Sequence, residues 1–194
     1  RVDFNVPLND ELQVLDNTRI YAAKPTIDYV LKNGGSCILI SHMGRPKGFS
    51  LKLSLKNIVS EVSKVLGRPV EFFSDCVGEA VQKKCKLLEP GQVLLLENLR
   101  FYKEESEGDI GFAEKLSRNG TTFINDAFGA AHRAHASTAI ISRFFMNNKF
   151  FGKLLEKEIL AIDKVLKSGK KPVLAIIGGA KVSSKITIIE SLLD

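Results

Sequence analysis

Several apolar, strand-like runs in this chain break into a polar cluster that carries an arginine. Ser36-Cys37-Ile38-Leu39-Ile40 leads into Ser41-His42-Met43-Gly44-Arg45. Val93-Leu94-Leu95-Leu96 leads into Glu97-Asn98-Leu99-Arg100. Thr121-Thr122-Phe123-Ile124 leads into Asn125-Asp126-Ala127-Phe128-Gly129, with Arg133 just beyond, and the chain opens with Arg1-Val2-Asp3-Phe4-Asn5. Short runs that are apolar on both faces belong in a parallel sheet covered by helices on both sides. In such a sheet the ligand crevice lies outside the carboxyl ends of the strands. Polar residues from separate runs then meet in one place. Several arginines meeting there select a multiply anionic small molecule, such as a phosphorylated carboxylic acid.

Helical patterns alternate with these runs. Leu55, Ile58, Val59, Val62 and Leu66 form one apolar face, with Ser54 as N-cap and Gly67 then Pro69 as the stop. Ile27, Val30 and Leu31 form a second, with Pro25 near its first turn and Gly34-Gly35 closing it. A third helix is predicted from Leu154 to Lys167, with Leu155, Ile159, Ile162 and Leu166 on its face and Gly169 as its stop. Strands are predicted over Ile38–Ile40, Val70–Phe73, Val93–Leu96, Thr122–Ile124 and Val173–Ile177. The Phe-rich stretch Ser142–Phe151 has no clean period and reads either as a connection packed over the sheet or as a domain boundary. The fold class is α/β, a doubly wound, Rossmann-like parallel sheet.

Charge and cysteine usage narrow the function classes. The 194 residues carry a net charge of +6. No dense basic tract accompanies it, so the surplus favours anionic small ligands over nucleic acid. Lys83-Lys84 with Lys86, and Lys170-Lys171, read as solvated faces. The three cysteines, Cys37, Cys76 and Cys85, lack metal-ligand spacing, and an odd number argues against a disulfide framework. Cys37 reads as an inert core thiol, and a reducing, cytoplasmic location fits, with an organellar form left open. Arg1-Val2-Asp3 reads as the tail of a strand, and Asp194 falls in a helical pattern, so the chain is expected to be a piece of a longer protein.

Each polar cluster has a plain alternative. Ser41-His42-Met43-Gly44-Arg45-Pro46 could be an ordinary loop; the other arginine-bearing strand ends favour the crevice. Arg19, in Asp16-Asn17-Thr18-Arg19-Ile20, reads by itself as a solvated residue at the approach to the first helix. Asp3 suits a carboxylate that fixes a ligand hydroxyl or an arginine, and Asn5 a turn before Pro7. In the run from Asn125 to His135, small residues allow close backbone approach, and His132, Arg133 and His135 cluster unusually. No cysteine or carboxylate in the motif completes a metal set with the two histidines. Gly178-Gly179-Ala180-Lys181-Val182-Ser183-Ser184-Lys185 lies between a predicted strand and helix and makes a phosphate site, although it matches neither the Walker pattern nor Gly-x-Gly-x-x-Gly. No nucleophile–base pair is apparent. Phosphoryl transfer suits an inventory rich in positive charge, because positioning and charge stabilisation supply most of its catalysis. A carboxylate acceptor would need no general base, being ionised at neutral pH.

Taken in order, Arg1-Val2-Asp3-Phe4-Asn5-Val6-Pro7, Ser41-His42-Met43-Gly44-Arg45-Pro46, Leu96-Glu97-Asn98-Leu99-Arg100-Phe101, Asn125-Asp126-Ala127-Phe128-Gly129 with His132-Arg133-Ala134-His135, and Gly178-Gly179-Ala180-Lys181 resemble the phosphoglycerate kinase family over nearly the whole chain. The resemblance implies a monomeric glycolytic kinase that moves a phosphoryl group reversibly between 1,3-bisphosphoglycerate and ADP, giving 3-phosphoglycerate and ATP. It implies a 3-phosphoglycerate domain over residues 1–152, an interdomain helix over 153–169 and the beginning of a nucleotide domain over 170–194. By similarity, Asp3, Phe4 and Asn5 lie at the glycerate. Arg19, His42, Met43, Gly44, Arg45, Arg100 and Arg133 form the pocket for its phosphate and carboxylate. Arg19 and Lys181 are the implied catalytic residues. Gly179, Ala180, Lys181 and Lys185 are the implied nucleotide contacts.

Mg2+ would arrive with ATP or ADP, and no metal ligand is assigned in this chain. Ser184 stands where the family often has an acidic residue, which weakens the case for a metal contact there. The alternative is a non-catalytic phosphometabolite-binding domain; neither reading calls for nucleic acid or a membrane. Because most of the implied nucleotide domain is missing, the chain alone is expected to be inactive. A coupled ATP assay should give background turnover, and a rate well above background contradicts the expectation.

Overall fold

Alternation along the strands decides which helices cover which face. In β3 (Val93–Leu96), Val93 and Leu95 are buried in one apolar cluster, and Leu94 and Leu96 in another. β1 (Cys37–Leu39) puts Cys37 and Leu39 in the first cluster, while Ile38 packs against the second. Successive side chains on a strand point to opposite faces, so two separate cores require a layer on each side of the sheet. The first core is closed by α1 (Thr18–Lys32) and α2 (Val59–Leu66), through Ile20, Ile27, Leu31, Val62 and Leu66. The second is closed by α3 (Glu79–Lys86) and α5 (Ile110–Ser117), through Val81, Cys85, Phe112 and Leu116, and by the 3₁₀ turn Ile140–Phe144. The chain has the doubly wound α/β architecture predicted from its sequence. This structure is a computed structural model and describes residues 1–168.

Among the described residues the named strands pair only in parallel, and a single antiparallel bridge joins Leu8 and Val14. β3 lies between β1 and β2 (Glu71–Phe73), while β4 (Phe123–Asn125) pairs with β5 (Lys149–Phe151). Arg1 and Val2 bridge the two groups. The Val2 N–H donates to the Ile40 carbonyl at 3.1 Å. On the other side the Arg1 amino group donates to the Ile124 carbonyl at 2.7 Å, and the Asp126 N–H donates to the Arg1 carbonyl at 2.9 Å. That is the bonding pattern of a parallel ladder. The spatial order is therefore β2, β3, β1, Arg1–Val2, β4, β5. From Arg1–Val2 the chain first builds the β1 side and then crosses to the β4 side. The direction of winding switches there, which is where such sheets open a crevice.

The structure adjusts several boundaries. The first helix begins at Thr18, and Pro25 lies inside it rather than near its first turn. Asp16 starts the helix early: its Oδ1 accepts from the Thr18 N–H at 2.8 Å and from the Thr18 hydroxyl at 2.6 Å. Burial of Ile20, Ala23, Ile27 and Leu31 outweighs the hydrogen bond that proline removes. The predicted helix from Leu55 starts as a 3₁₀ turn, Leu55–Ile58, capped by Ser54, before becoming α2; Gly67 ends it with φ +67°. β2 is not apolar on both faces, because it is the edge strand. Its Glu71 is exposed and pairs with Lys84, which is thereby more than a solvated lysine.

The Phe-rich stretch begins as a connection packed over the sheet, with Phe145 buried in the second core and stacked on Phe123. It then supplies β5, and Phe150 and Phe151 are exposed at the other edge. Three short helices were not anticipated, α3, α4 (Lys103–Glu107) and α5, the last capped by Asp109.

α6 spans Lys153–Ser168, close to the predicted third helix. Its first turn is fixed by two side chains of the domain. Asp126 Oδ1 accepts from the Leu154 and Leu155 N–H groups at 3.0 and 3.1 Å, and the Thr26 hydroxyl accepts from Lys153 N–H at 2.8 Å. Of its predicted face, Leu155 is buried and Ile159 and Ile162 are exposed. The chain divides into two compact units, Arg1–Ile159 and Leu160–Asp194. Every element that builds the cleft described below lies in the first. The predicted strand Val173–Ile177 lies outside the described residues.

All three cysteines are free and buried. Burial raises the Cys37 and Cys85 thiols to about 11 and lifts Cys76 further. A thiol-specific reagent at pH 7.5 should therefore label none of them in the native chain and all three in denaturant. Rapid labelling of the native chain contradicts this packing.

Candidate functional site

Alternation also explains why the chain's opening residues reach the crevice. Val2, Phe4 and Val6 are buried in the first core. Asp3 and Asn5 are consequently turned away from it. Phe4 is completely buried, and its N–H donates to the Ser41 hydroxyl at 2.8 Å, which ties this segment to the end of β1. Asp3 forms an ion pair with Arg19, in the first turn of α1. Gly129 closes on that pair. A Cβ there would lie 2.8 Å from Asp3 Oδ2, closer than a real side chain tolerates.

Gly44 is the junction of three strand ends. Its N–H donates to Asn5 Oδ1 at 2.8 Å, and its carbonyl accepts from Arg100 Nη1 at 2.7 Å. Its φ of +61° is one that glycine adopts without steric cost. The turn is held from below by Asn98, which is wholly buried. Asn98 Oδ1 accepts from the Met43 and Arg100 N–H groups, each at 3.1 Å. Its Nδ2 donates to the Met43 carbonyl at 2.8 Å and the Leu53 carbonyl at 2.9 Å. Glu97 secures the same region by accepting from the Ser54 hydroxyl at 2.6 Å and the Leu55 N–H at 2.9 Å. The loops carrying Arg45 and Arg100 are thus fixed by buried side chains whose hydrogen-bonding capacity is used.

These strand ends enclose a cleft of about 240 Å³ lined by Asp3, Asn5, Arg19, His42, Gly44, Arg45, Arg100, Gly129, Ala130 and Arg133. Every residue predicted for the anionic substrate lines it except Phe4 and Met43. Those two side chains are buried in the first core and contribute to the site through their backbone. Against four arginines the cleft sets one carboxylate, Asp3. The Arg100 guanidinium is held below its ordinary value by burial first and then by Arg133 and Arg45. Like charges gathered in this way favour binding of an anion.

A larger cavity of about 770 Å³ lies towards the opposite ends of the strands, against Gly35, Pro90 and Thr121. Its walls are mainly apolar faces of β1, β4, α1 and the turn at Ile141, without a comparable convergence of arginines.

His42 is buried and its role is fixed by one contact. Arg1 Nη2 lies 3.0 Å from His42 Nδ1. A guanidinium can only donate, so Nδ1 accepts and the ring proton sits on Nε2. Burial, then Arg1, Arg100, His135 and Arg19, lower its pKa to about 2. His42 therefore lines the cleft as a neutral imidazole with its proton on Nε2. His135, by contrast, is turned towards the buried Glu105, its Nδ1 3.9 Å from Glu105 Oε1; burial and the neighbouring arginines lower its pKa against the pull of that carboxylate. His132 accepts from Arg133 Nε at 3.1 Å. Among the described residues no cluster of three or more His, Cys, Asp or Glu could hold a metal ion. Gly179, Ala180, Lys181 and Lys185 lie outside the described residues.

Sequence reasoning did not identify Arg1, Glu105 and Ser137 as the buried residues packed behind His42. Glu105 looks like one of several solvated acids in Lys103-Glu104-Glu105-Ser106-Glu107, yet it is fully buried. The helical offset that turns it inward was the only signal available. Gly129 and Ala130 belong to the polar run read from the sequence but had not been named as lining residues.

A family model described as phosphoglycerate kinase matches residues 1–194. Two curated relatives are each 50% identical to this chain and are covered by it over about half their length. They are a phosphoglycerate kinase of Borrelia garinii subsp. bavariensis (49% covered) and a cytosolic phosphoglycerate kinase of Triticum aestivum (48%). Both alignments take in 100% of this chain. Solved phosphoglycerate kinases from Coxiella burnetii (TM-score 0.85, 35% identity) and Pyrococcus horikoshii (TM-score 0.88, 32% identity) superpose on all of it and on 48% of their own chains.

The His42 geometry has a measurable consequence. Its folded pKa of about 2 lies below the ordinary value of 6.5, so the unfolded chain binds the proton more readily. The contribution is fully present above pH 6.5 and is lost as pH falls, by about 1.4 kcal/mol per pH unit. In ¹⁵N-correlated spectra the ring should stay an Nε2–H tautomer from pH 8 to pH 5. A titration midpoint near 6.5 contradicts the Arg1 contact.

Proposed function

The chain belongs to the phosphoglycerate kinase family, and on that premise we propose that the cleft binds 3-phosphoglycerate, or the acyl phosphate 1,3-bisphosphoglycerate, for reversible phosphoryl exchange with ADP and ATP. The observation that carries this reading is the convergence of Arg19, Arg45, Arg100 and Arg133 with neutral His42 in one cleft. A phosphate and a carboxylate on a three-carbon frame present separated anionic ends, and guanidinium forks match both. Asp3 and Asn5 are the groups suited to the hydroxyl between them, although each already has a partner in Arg19 and the Gly44 N–H.

The roles follow from position. Arg100 and Arg45 stand on loops braced by Asn98 and provide fixed positive charge. Arg133 sits on the turn after Gly129 and closes the other side. Arg19 is half-exposed, and its pairing with Asp3 holds it across the cleft rather than free in solvent. It is the side chain proposed to neutralise charge on the transferring phosphoryl group. Fixed donors act without reorganising during the reaction. The acceptor carboxylate enters ionised, so no general base is needed.

The nucleotide is expected at Gly179, Ala180, Lys181 and Lys185, with Lys181 acting beside Arg19. Mg2+ bound with the nucleotide would screen its phosphate charge. The described residues offer no carboxylate cage for the ion.

Calorimetric titration with 3-phosphoglycerate tests the proposal. The native chain should bind saturably, and Arg45→Ala should weaken binding by about tenfold or more, the loss expected for a charged hydrogen bond. The melting temperature should also rise with ligand, since occupancy relieves repulsion among the arginines. A folded chain that neither binds nor shifts contradicts the proposal.

A further inference from the structure

We infer that Glu105 and Ser137 form a buried positioning relay that orients Arg1 and thereby holds His42 as an Nε2–H donor to the anion in the cleft. This rests on the substrate reading above for its ligand and on the hydrogen bonds among these buried side chains for its geometry. Glu105 belongs to α4 and is fully buried, as is Ser137. Glu105 Oε1 accepts from the Ser137 hydroxyl at 2.6 Å, and Oε2 accepts from the Ser137 N–H at 3.0 Å. With its proton committed to Glu105, the Ser137 oxygen has lone pairs to offer, and Arg1 Nε donates to it at 3.0 Å. The same guanidinium then donates through Nη2 to His42 Nδ1 at 3.0 Å. Each link has one possible donor direction, so the direction of the whole relay is determined from the carboxylate outward.

A buried carboxylate beside an anion site otherwise looks like a fault, because its charge opposes the ligand. Glu105 has no place in the cleft lining and faces inward. There it supplies a counter-charge to Arg1, itself only 6% exposed, and fixes which atom of Ser137 faces the guanidinium. A buried guanidinium without such a partner would be strongly destabilising. The plainer role for Glu105 is to anchor the loop 134–138, since its own carbonyl also accepts from the Ala136 N–H at 2.9 Å. The two roles separate at Ser137. Removing the hydroxyl leaves the carboxylate bound to the Ser137 N–H, so the anchor survives, but it cuts the link to Arg1.

The experiment compares the native chain with Ser137→Ala and Ser137→Thr, which restores a hydroxyl. Two signals are read: the His42 ring tautomer by ¹⁵N-correlated NMR without ligand, and the dissociation constant for 3-phosphoglycerate. The alanine variant should show mixed His42 tautomers and bind roughly three- to tenfold more weakly, an estimate for one lost neutral hydrogen bond. The threonine variant should restore both signals. A folded alanine variant with either signal unchanged overturns the relay. If alanine does not fold, Ser137→Cys, with its weak donor and acceptor, is read by the same two signals and the same decision. Should the native chain bind no 3-phosphoglycerate, the substrate reading fails, and the ligand-free tautomer alone decides the relay.

Discussion

The pairing of Arg1 and Val2 between β1 and β4 is the contact on which the rest of the domain depends. Three backbone hydrogen bonds join two groups of parallel strands into one ordered series. Without them, the loop after β1 and the loop after β4 would have no common reference. With them, the Asp3–Asn5 segment emerges at the switch in winding direction, and the polar ends of the neighbouring strands close around it. Val2 and Phe4 anchor the segment on the core side, which obliges Asp3 and Asn5 to take the other.

A second constraint is how the fold supports its charge. An anion cleft needs arginines close together, and proximity raises their mutual repulsion. The fold answers with buried carboxylates and amides placed behind the cleft. Glu97 and Asn98 hold the loops that carry Arg45 and Arg100, and Glu105 stands behind Arg1. Asp126 is committed to the start of α6. The Asp3 carboxylate is the exception, since it faces the cleft and pairs with Arg19. The positive groups thus face the ligand side, while most of their supports are used up within the protein.

How much of this could be read from the sequence follows from which interactions are local. The apolar runs and their arginine-bearing ends are local, and from them came the α/β class and the expectation that Arg45, Arg100 and Arg133 meet; Arg19, read alone as a solvated helix residue, came only from the family resemblance. Helix starts were less legible where a polar residue two positions upstream set the boundary, as Asp16 does for α1. β5 was missed because its residues Lys149–Phe151 lie at a sheet edge, exposed on the strand, and lose the alternation that marks a half-buried one. The supporting shell was the hardest part. Ser137 meets Glu105 across 32 positions and Arg1 across 136, and no sequence period records such a meeting. Phe4 and Met43 show the opposite difficulty: they sit inside the motif, yet packing claims their side chains.

The central claim is that one cleft, at the carboxyl ends of the strands, takes the phosphorylated acid. Backbone chemical-shift mapping of the chain with added 3-phosphoglycerate tests it most directly. The account predicts saturable shifts concentrated at residues 3–5, 19, 42–45, 98–100 and 129–133. Shifts centred instead on the larger cavity near Gly35, Pro90 and Thr121, or spread without a centre, would contradict it.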